Sequence, residues 1–144
     1  MKLVDTNLLI YSVDQSSEHH TAARRFLEAA VASDETLALP WAVIIEFVRV
    51  STGRRSTRRP VDSKTACEAV ERWLSRPNVV ALEPGPEHWR LLRELLEQVG
   101  TAGNLTVDAH LAALAIENGA ELCSADSDFA RFPRLKWTDP TRGG

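Results

Sequence analysis

The sequence predicts an α/β fold, a short central parallel β-sheet with helices on both faces in a three-layer α/β/α arrangement. Short apolar runs (Lys2–Val4, Leu37–Leu39, Asn78–Leu82, Glu121–Ser124) alternate with longer segments whose apolar residues recur at helical spacing. The runs read as strands buried on both faces, the usual setting of parallel sheets. The length, 144 residues, suits one domain, and no internal repeat or low-complexity tract divides it. A single domain is therefore expected over residues 1–140, with a frayed tail over 141–144.

Lys2–Val4 is the first strand and ends at Asp5, after which Thr6 to Tyr11 turns into a short helix. Between Ser17 and Ala32, Ala22, Ala23, Phe26, Leu27, Ala30 and Val31 form one stripe of an amphipathic helix, with Ser16 or Ser17 as its cap. Leu37–Leu39 is a strand, and Pro40 starts a helix with Trp41, Ile44, Ile45 and Val48 on its inward face, ending by Gly53. Asp62 or Ser63 caps the next helix, whose Ala66, Val70, Trp73 and Leu74 point inward. The strand Asn78–Leu82 leads to a helix over Glu87–Val99 carrying Trp89, Leu92, Leu95 and Leu96. After a break at Gly100–Gly103 comes a helix over Thr106–Asn118, with Leu111, Leu114 and Ala115 inward and Gly119 as its terminator. Glu121–Ser124 is a strand, Asp126–Phe132 a turn or short helix, and Leu135–Trp137 a last strand.

The chain is 44% hydrophobic and 26% charged, enough for a core without disulfides. Cys67 and Cys123 have neither a metal-ligand spacing nor a disulfide framework and read as small buried residues of a reduced, cytoplasmic protein. No apolar run is long enough to span a membrane, and the N-terminus has no signal-peptide pattern. The net charge of −3 hides an uneven distribution, because Arg54, Arg55, Arg58 and Arg59 fall within six residues.

Several acids stand where structure alone would not put them. Asp5 and Asp126 each follow a strand and precede a short helix, so each reads either as a cap or as a ligand at the sheet's carboxyl edge. Glu46 interrupts Trp41-Ala-Val-Ile-Ile-Glu-Phe-Val48, where a carboxylate is costly unless paired, hydrated or metal-bound. Asp108 suits the dipole of its helix but borders the apolar stripe, which aims it toward the sheet. Asp128 reads as an auxiliary acid or a cap. Clustered carboxylates repel unless a cation holds them, and Mg²⁺ and Mn²⁺ prefer such oxygen donors. One or two such ions can activate water against a phosphodiester. His88 and His110 read as lone helix residues, and His19 and His20 as exposed.

The blocks Val4-Asp5-Thr6-Asn7-Leu8-Leu9-Ile10-Tyr11, Glu46 in its apolar helix, Thr106-Val-Asp108-Ala-His-Leu-Ala-Ala-Leu-Ala115 and Leu122-Cys-Ser124-Ala-Asp126-Ser-Asp128-Phe129, followed by Arg131-Phe132-Pro133, resemble the PIN-domain family in order. The likeness is strongest to the VapC-type toxins of bacterial toxin–antitoxin pairs. It implies a PIN-like fold and a metal site of Asp5, Glu46, Asp108 and Asp126 with Asp128 nearby. Thr6, Asn7 and Ser124 would order these carboxylates. It further implies metal-dependent cleavage of RNA of the tRNA or rRNA class, a cognate antitoxin that blocks the site, and a homodimer. Residues 51–64 match no motif of the family. The arginines there suit RNA phosphates, a solvated loop, or an acidic part of the antitoxin.

Two rival classes remain. A phosphatase with Asp5 as nucleophile commonly places a second acid two residues on, where this chain has Asn7. A PIN-like module that binds RNA or protein without cutting would keep the fold and lack the activity.

Overall fold

A computed structural model describes residues 1–142. The elements are β1 (Lys2–Val4), α1 (Thr6–Val13), α2 (His20–Ala32), β2 (Leu37–Pro40), α3 (Trp41–Thr52), α4 (Ser63–Leu74), β3 (Val79–Leu82), α5 (His88–Val99), α6 (Thr106–Glu117), β4 (Glu121–Cys123) and β5 (Trp137–Thr138). Single 3₁₀ turns cover Gly103–Leu105 and Ser127–Arg131. The strands pair in the order β3-β2-β1-β4-β5, all parallel. Every residue of Leu37–Pro40 is buried, which requires cover on both faces because successive side chains alternate. The expected α/β/α layering is thus the observed one.

The strand order places the ligand edge. From β1 the chain moves outward to β2 and β3, then returns across β1 to β4 and β5, so direction reverses between β1 and β4. Open α/β sheets bind ligands in the crevice beyond the strand ends at such a reversal. Register sets Val4 beside Cys123, and Asp5 N–H extends the ladder to the Cys123 carbonyl at 3.0 Å. Asp5 and Ser124 therefore leave the sheet side by side.

α6 is buried on most sides, with Ala109 and Leu111 through Ala115 inaccessible. Its alanines let α5 and the sheet approach closely, and Gly119 ends it at φ 61°, a conformation that favours glycine. This rigid helix carries Asp108 in its first turn.

Several expectations need correction. α2 begins at His20 without a side-chain cap. Ser17 instead accepts the His19 N–H in the preceding turn at 3.1 Å. α3 buries Val43, Ile44 and Phe47, while Trp41 and Ile45 lie on the surface at 43% and 65% exposure. The helix is apolar almost all round, so side-chain size does not mark its inner face. On α5, His88, Leu91 and Leu95 are buried and Trp89 is exposed, so the tryptophans are not uniformly core residues. Trp73 packs edge-on against Phe47 with centroids 5.0 Å apart. Cys67 is exposed and only Cys123 is buried. The last strand is Trp137–Thr138, not Leu135–Trp137. Asp139 closes a turn by accepting from Thr141 N and Thr141 Oγ1 at 2.9 and 2.6 Å. Of the tail expected to fray, Gly143 and Gly144 lie outside the described residues.

Candidate active site

The two strand-end aspartates are both caps, and each uses one carboxylate oxygen for that contact. Asp5 Oδ1 accepts the Thr6 N–H at 2.7 Å, which caps α1. Its Oδ2 accepts Ser124 Oγ–H at 2.7 Å and the Asn7 amide at 3.4 Å. Asp126 Oδ1 accepts the Asp128 N–H at 2.9 Å, which caps the 3₁₀ turn. Ser124 is fully buried and accepts from Asn7 Nδ2 at 3.1 Å and Asp126 N at 3.0 Å while donating to Asp5. Asn7 Oδ1 accepts Ala125 N–H at 3.3 Å, so Asn7 ties the two strand ends together.

Asp108, Asp126 and Asp128 converge, each offering an oxygen within 4.8 Å of the others. Burial pushes the Asp108 carboxyl up to about 6, and the negative charges of Asp126, Asp5 and Asp128 add to the rise. Burial also raises Asp5. The Ser124 and Thr6 hydrogen bonds oppose that rise, while Asp126 and Glu46 reinforce it. Asp128, read from sequence as auxiliary, belongs to the tightest trio, because the 3₁₀ turn swings it back over Asp126.

Glu46 lines the cleft with Asp5 and Asp108 but is not part of the converging trio. Arg49 grips both its oxygens, Nη2 to Oε1 at 2.6 Å and Nε to Oε2 at 3.0 Å. The Arg49 hydrogen bonds hold the Glu46 carboxyl below its usual range. The charged partner that makes this glutamate tolerable was visible at i+3 in the sequence.

A cleft of about 650 Å³ opens above these groups between α1, α3 and the start of α6. Asp5, Thr6, Asn7, Glu46 and Asp108 line its polar part, and Ile10, Tyr11, Val43, Val50, Val107 and Leu111 its apolar walls. The wall residues were not singled out from sequence, where they read only as helix periodicity. Arg54, Arg55, Arg58 and Arg59 sit on an exposed loop past the C-terminus of α3 and do not line the cleft. His88 and His110 are not lone residues: they meet across α5 and α6, with His88 Nε2 and His110 Nδ1 2.9 Å apart.

The donor set suits a hard divalent cation. Three carboxylates with converging oxygens supply the ligands that Mg²⁺ and Mn²⁺ prefer, and one carboxyl is pushed up by burial and further by its neighbours' charge, which a cation would offset. Among the described residues, no sulfur or imidazole joins the trio.

Comparison with known proteins agrees with this geometry. Residues 2–135 match the model of the PIN domain. Over 140 residues the chain is 40% identical to Ribonuclease VapC37 of Mycobacterium tuberculosis, spanning 97% of each chain. It is 42% identical over 143 residues to Ribonuclease VapC43 of the same organism, covering 99% of this chain and 97% of that one. Among solved structures, VapBC-1 of nontypeable Haemophilus influenzae overlays with a TM-score of 0.72 at 19% identity over 98% of both chains. VapC20 of M. tuberculosis, described as a sarcin-ricin loop cleaving toxin, overlays with a TM-score of 0.64 at 20% identity, covering 90% of this chain and 93% of that one. Those two likenesses concern the fold. The chain belongs to the PIN-domain family, and its full-length likeness to VapC37 and VapC43 puts it among the VapC-type members.

Proposed function

We propose that the chain is an endoribonuclease that hydrolyses RNA with a divalent cation, Mg²⁺ or Mn²⁺ as one or two ions, and acts as the toxin of a type II toxin–antitoxin pair. The observation that carries this reading is the convergence of Asp108, Asp126 and Asp128 near Asp5 at the sheet's reversal point, with Asp5 and Asp108 also lining an open cleft. The names of the relatives, both ribonucleases, support RNA as substrate, and the tRNA or rRNA class is the proposed target.

Asp5, Asp108 and Asp126 would hold the cation, with Asp128 alongside and Glu46 contributing once it leaves Arg49. When bound, the cation supplies Lewis acidity toward the scissile phosphate and eases deprotonation of an attacking water. Ser124 Oγ and Thr6 N fix both oxygens of Asp5, so that carboxylate keeps its direction when a ligand arrives. Asn7 and Ser124 hold the β1 and β4 ends at a constant separation.

The protein partner in this reading is an antitoxin that covers the cleft, consistent with the likeness to VapBC-1. A second copy of the chain is also proposed. The exposed Trp41 and Ile45, one turn apart on α3, offer apolar surface for such contacts. The proposed compartment is the cytoplasm, where RNA of this class resides. Among the described residues no helix is long and apolar enough to cross a membrane.

The test is incubation of the purified chain with total bacterial RNA, with and without Mg²⁺ or Mn²⁺, beside an Asp5→Asn/Asp108→Asn variant. Discrete cuts that require metal and vanish in the variant are expected. Absence of cutting by folded, metal-loaded protein would transfer the reading to an RNA- or protein-binding module.

A further inference from the structure

Away from the acids the cleft changes character. Its walls there are Ile10, Tyr11 and Val50, and the loop beyond α3 begins at Gly53, three residues past Val50. The ring of Tyr11 packs on the ring of His19, with centroids 4.9 Å apart and planes tilted by 44°. His20 Nδ1 lies 2.9 Å from the Tyr11 carbonyl, which pins the start of α2 to the end of α1 and holds this aromatic pair in place. Tyr11 is half-buried, and its cleft side is open.

The arginine loop is built rather than loose. The N–H groups of Ser56 and Thr57 donate to the Gly53 carbonyl at 3.1 and 3.2 Å, and Val61 N–H returns to the Ser51 carbonyl at 3.0 Å. A Cβ at Gly53 would stand 2.9 Å from the Arg49 carbonyl, so the turn requires glycine. Held this way, Arg54, Arg55, Arg58 and Arg59 are all exposed, and among the described residues none of them joins an ion pair. Seven others, Arg24, Arg49, Arg90, Arg93, Arg131, Arg134 and Arg142, each pair with an acid, while Arg25, Arg72 and Arg76 are scattered singly and in no such pair among the described residues. The loop leaves the helix three residues past Val50, which lines the cleft together with Tyr11. Asp14, at the end of α1, is held low chiefly by the Ser16 hydroxyl and backbone N–H, and the charges of His20 and Arg59 add to that lowering.

An aromatic face beside a row of uncommitted cations is the combination that binds single-stranded nucleic acid, with bases stacking and phosphates meeting the charges. We propose that Tyr11, with His19 behind it, and the Gly53–Val61 loop form one subsite for single-stranded RNA. An unpaired base stacks on Tyr11, and Arg54, Arg55, Arg58 and Arg59 bind the phosphates on that side of the cleavage point. This inference rests on the RNA reading above and gives it a direction: the strand runs from the acids along α1 to the loop.

The test measures binding without cleavage. Fluorescence anisotropy follows a labelled, unstructured oligoribonucleotide on the full chain in EDTA at several KCl concentrations. Replacing all four arginines with serine is expected to flatten the salt dependence of log K by about 2–3, at about 0.7 for each phosphate of a single strand that is no longer neutralised. Tyr11→Leu is expected to weaken binding about 5- to 100-fold with the slope unchanged, and Tyr11→Phe to restore it. One abasic position in the oligonucleotide should cost the native chain affinity and cost Tyr11→Leu none. Thermal midpoints of all variants check folding. An unchanged salt slope in the arginine variant, or native affinity in Tyr11→Leu, overturns the shared subsite and leaves the loop as a solvated or protein-binding element. RNA bound in this pattern by a chain that never cuts would sink the nuclease reading and leave the subsite standing. Cutting with binding indifferent to these residues would do the reverse.

Discussion

Ser124 Oγ donates to Asp5 Oδ2 at 2.7 Å, joining the ends of β4 and β1 across 119 residues of sequence. The same oxygen accepts from Asn7 Nδ2 and Asp126 N, so one buried hydroxyl orients two aspartates. Ser124→Ala would leave these donors short of a partner and remove the hydrogen bond that opposes the rise of the Asp5 carboxyl. The expected cost is about 1–3 kcal/mol of folding stability, the usual penalty for a buried polar group left unmatched. Mn²⁺ affinity is expected to fall as well, because Asp5 gains a proton more readily. Chemical denaturation and calorimetric Mn²⁺ titration check both, and unchanged Mn²⁺ affinity would mean that Ser124 serves folding alone.

Asp108 gives the site a pH signature. Its folded-state value of about 6 stands above the ordinary carboxylate value of 3.8. Below 3.8 it is protonated in both folded and unfolded chains and contributes no difference. Between 3.8 and about 6 the unfolded chain releases the proton first, so metal-free stability falls as pH rises, and above about 6 the loss is complete. In EDTA, Asp108→Asn is therefore expected to melt about 2–4 °C above the native chain at pH 7.5 and level with it near pH 4. Saturating Mn²⁺ should reverse the order at pH 7.5, since only the native chain gains the binding energy. Melting curves in the two buffers decide it, and a variant no more stable than native at pH 7.5 in EDTA would show that burial and charge crowding do not strain this site.

Glu46 reaches the site only by leaving Arg49, which engages both of its oxygens. Removing the competitor should favour a cation. Arg49→Ala is expected to tighten Mn²⁺ binding about twofold to fivefold, the scale of an exposed ion pair. Glu46→Gln should weaken it. If Arg49→Ala leaves the affinity unchanged while the Asp108 variant abolishes binding, Glu46 belongs to the cleft wall and not to the ligand set.

These cases show what the linear chain reveals. β1 and β4 were legible because strands buried on both faces leave short apolar runs, and Asp5 and Asp126 stood out because they ended those runs. The inner face of α3 was not legible, since Trp41-Ala-Val-Ile-Ile presents apolar residues in every direction, and Trp41 and Ile45 face outward while Val43 and Ile44 face inward. Asp128 could be read only as an auxiliary acid or a cap, because its place in the trio depends on the path of a 3₁₀ turn. The pairing of His88 with His110 is set by the packing of α5 on α6, which residues 22 apart in sequence do not announce.

That histidine pair predicts acid sensitivity. His88 Nε2 lies 2.9 Å from His110 Nδ1, so one proton is shared and neither ring gains a second easily. On its other side, His88 Nδ1 is buried without a hydrogen-bond partner, 3.9 Å from Glu117 Oε1, whose carboxylate already accepts the N–H groups of Gly85 and Glu87. Burial lowers His88 against the pull of Glu117, and it lowers His110 together with the charge of His88. Folding thus favours the neutral rings. Their contribution is intact above the unfolded value of 6.5 and drains away as pH falls below it, where the unfolded chain takes up protons that the folded chain refuses. The thermal midpoint of the native chain should therefore drop between about pH 7 and about pH 5.5, and a His88→Gln/His110→Gln variant, whatever its midpoint at neutral pH, should drop less over the same interval. An equal drop in both would place the acid sensitivity elsewhere in the molecule and leave the pair a contact between α5 and α6 only.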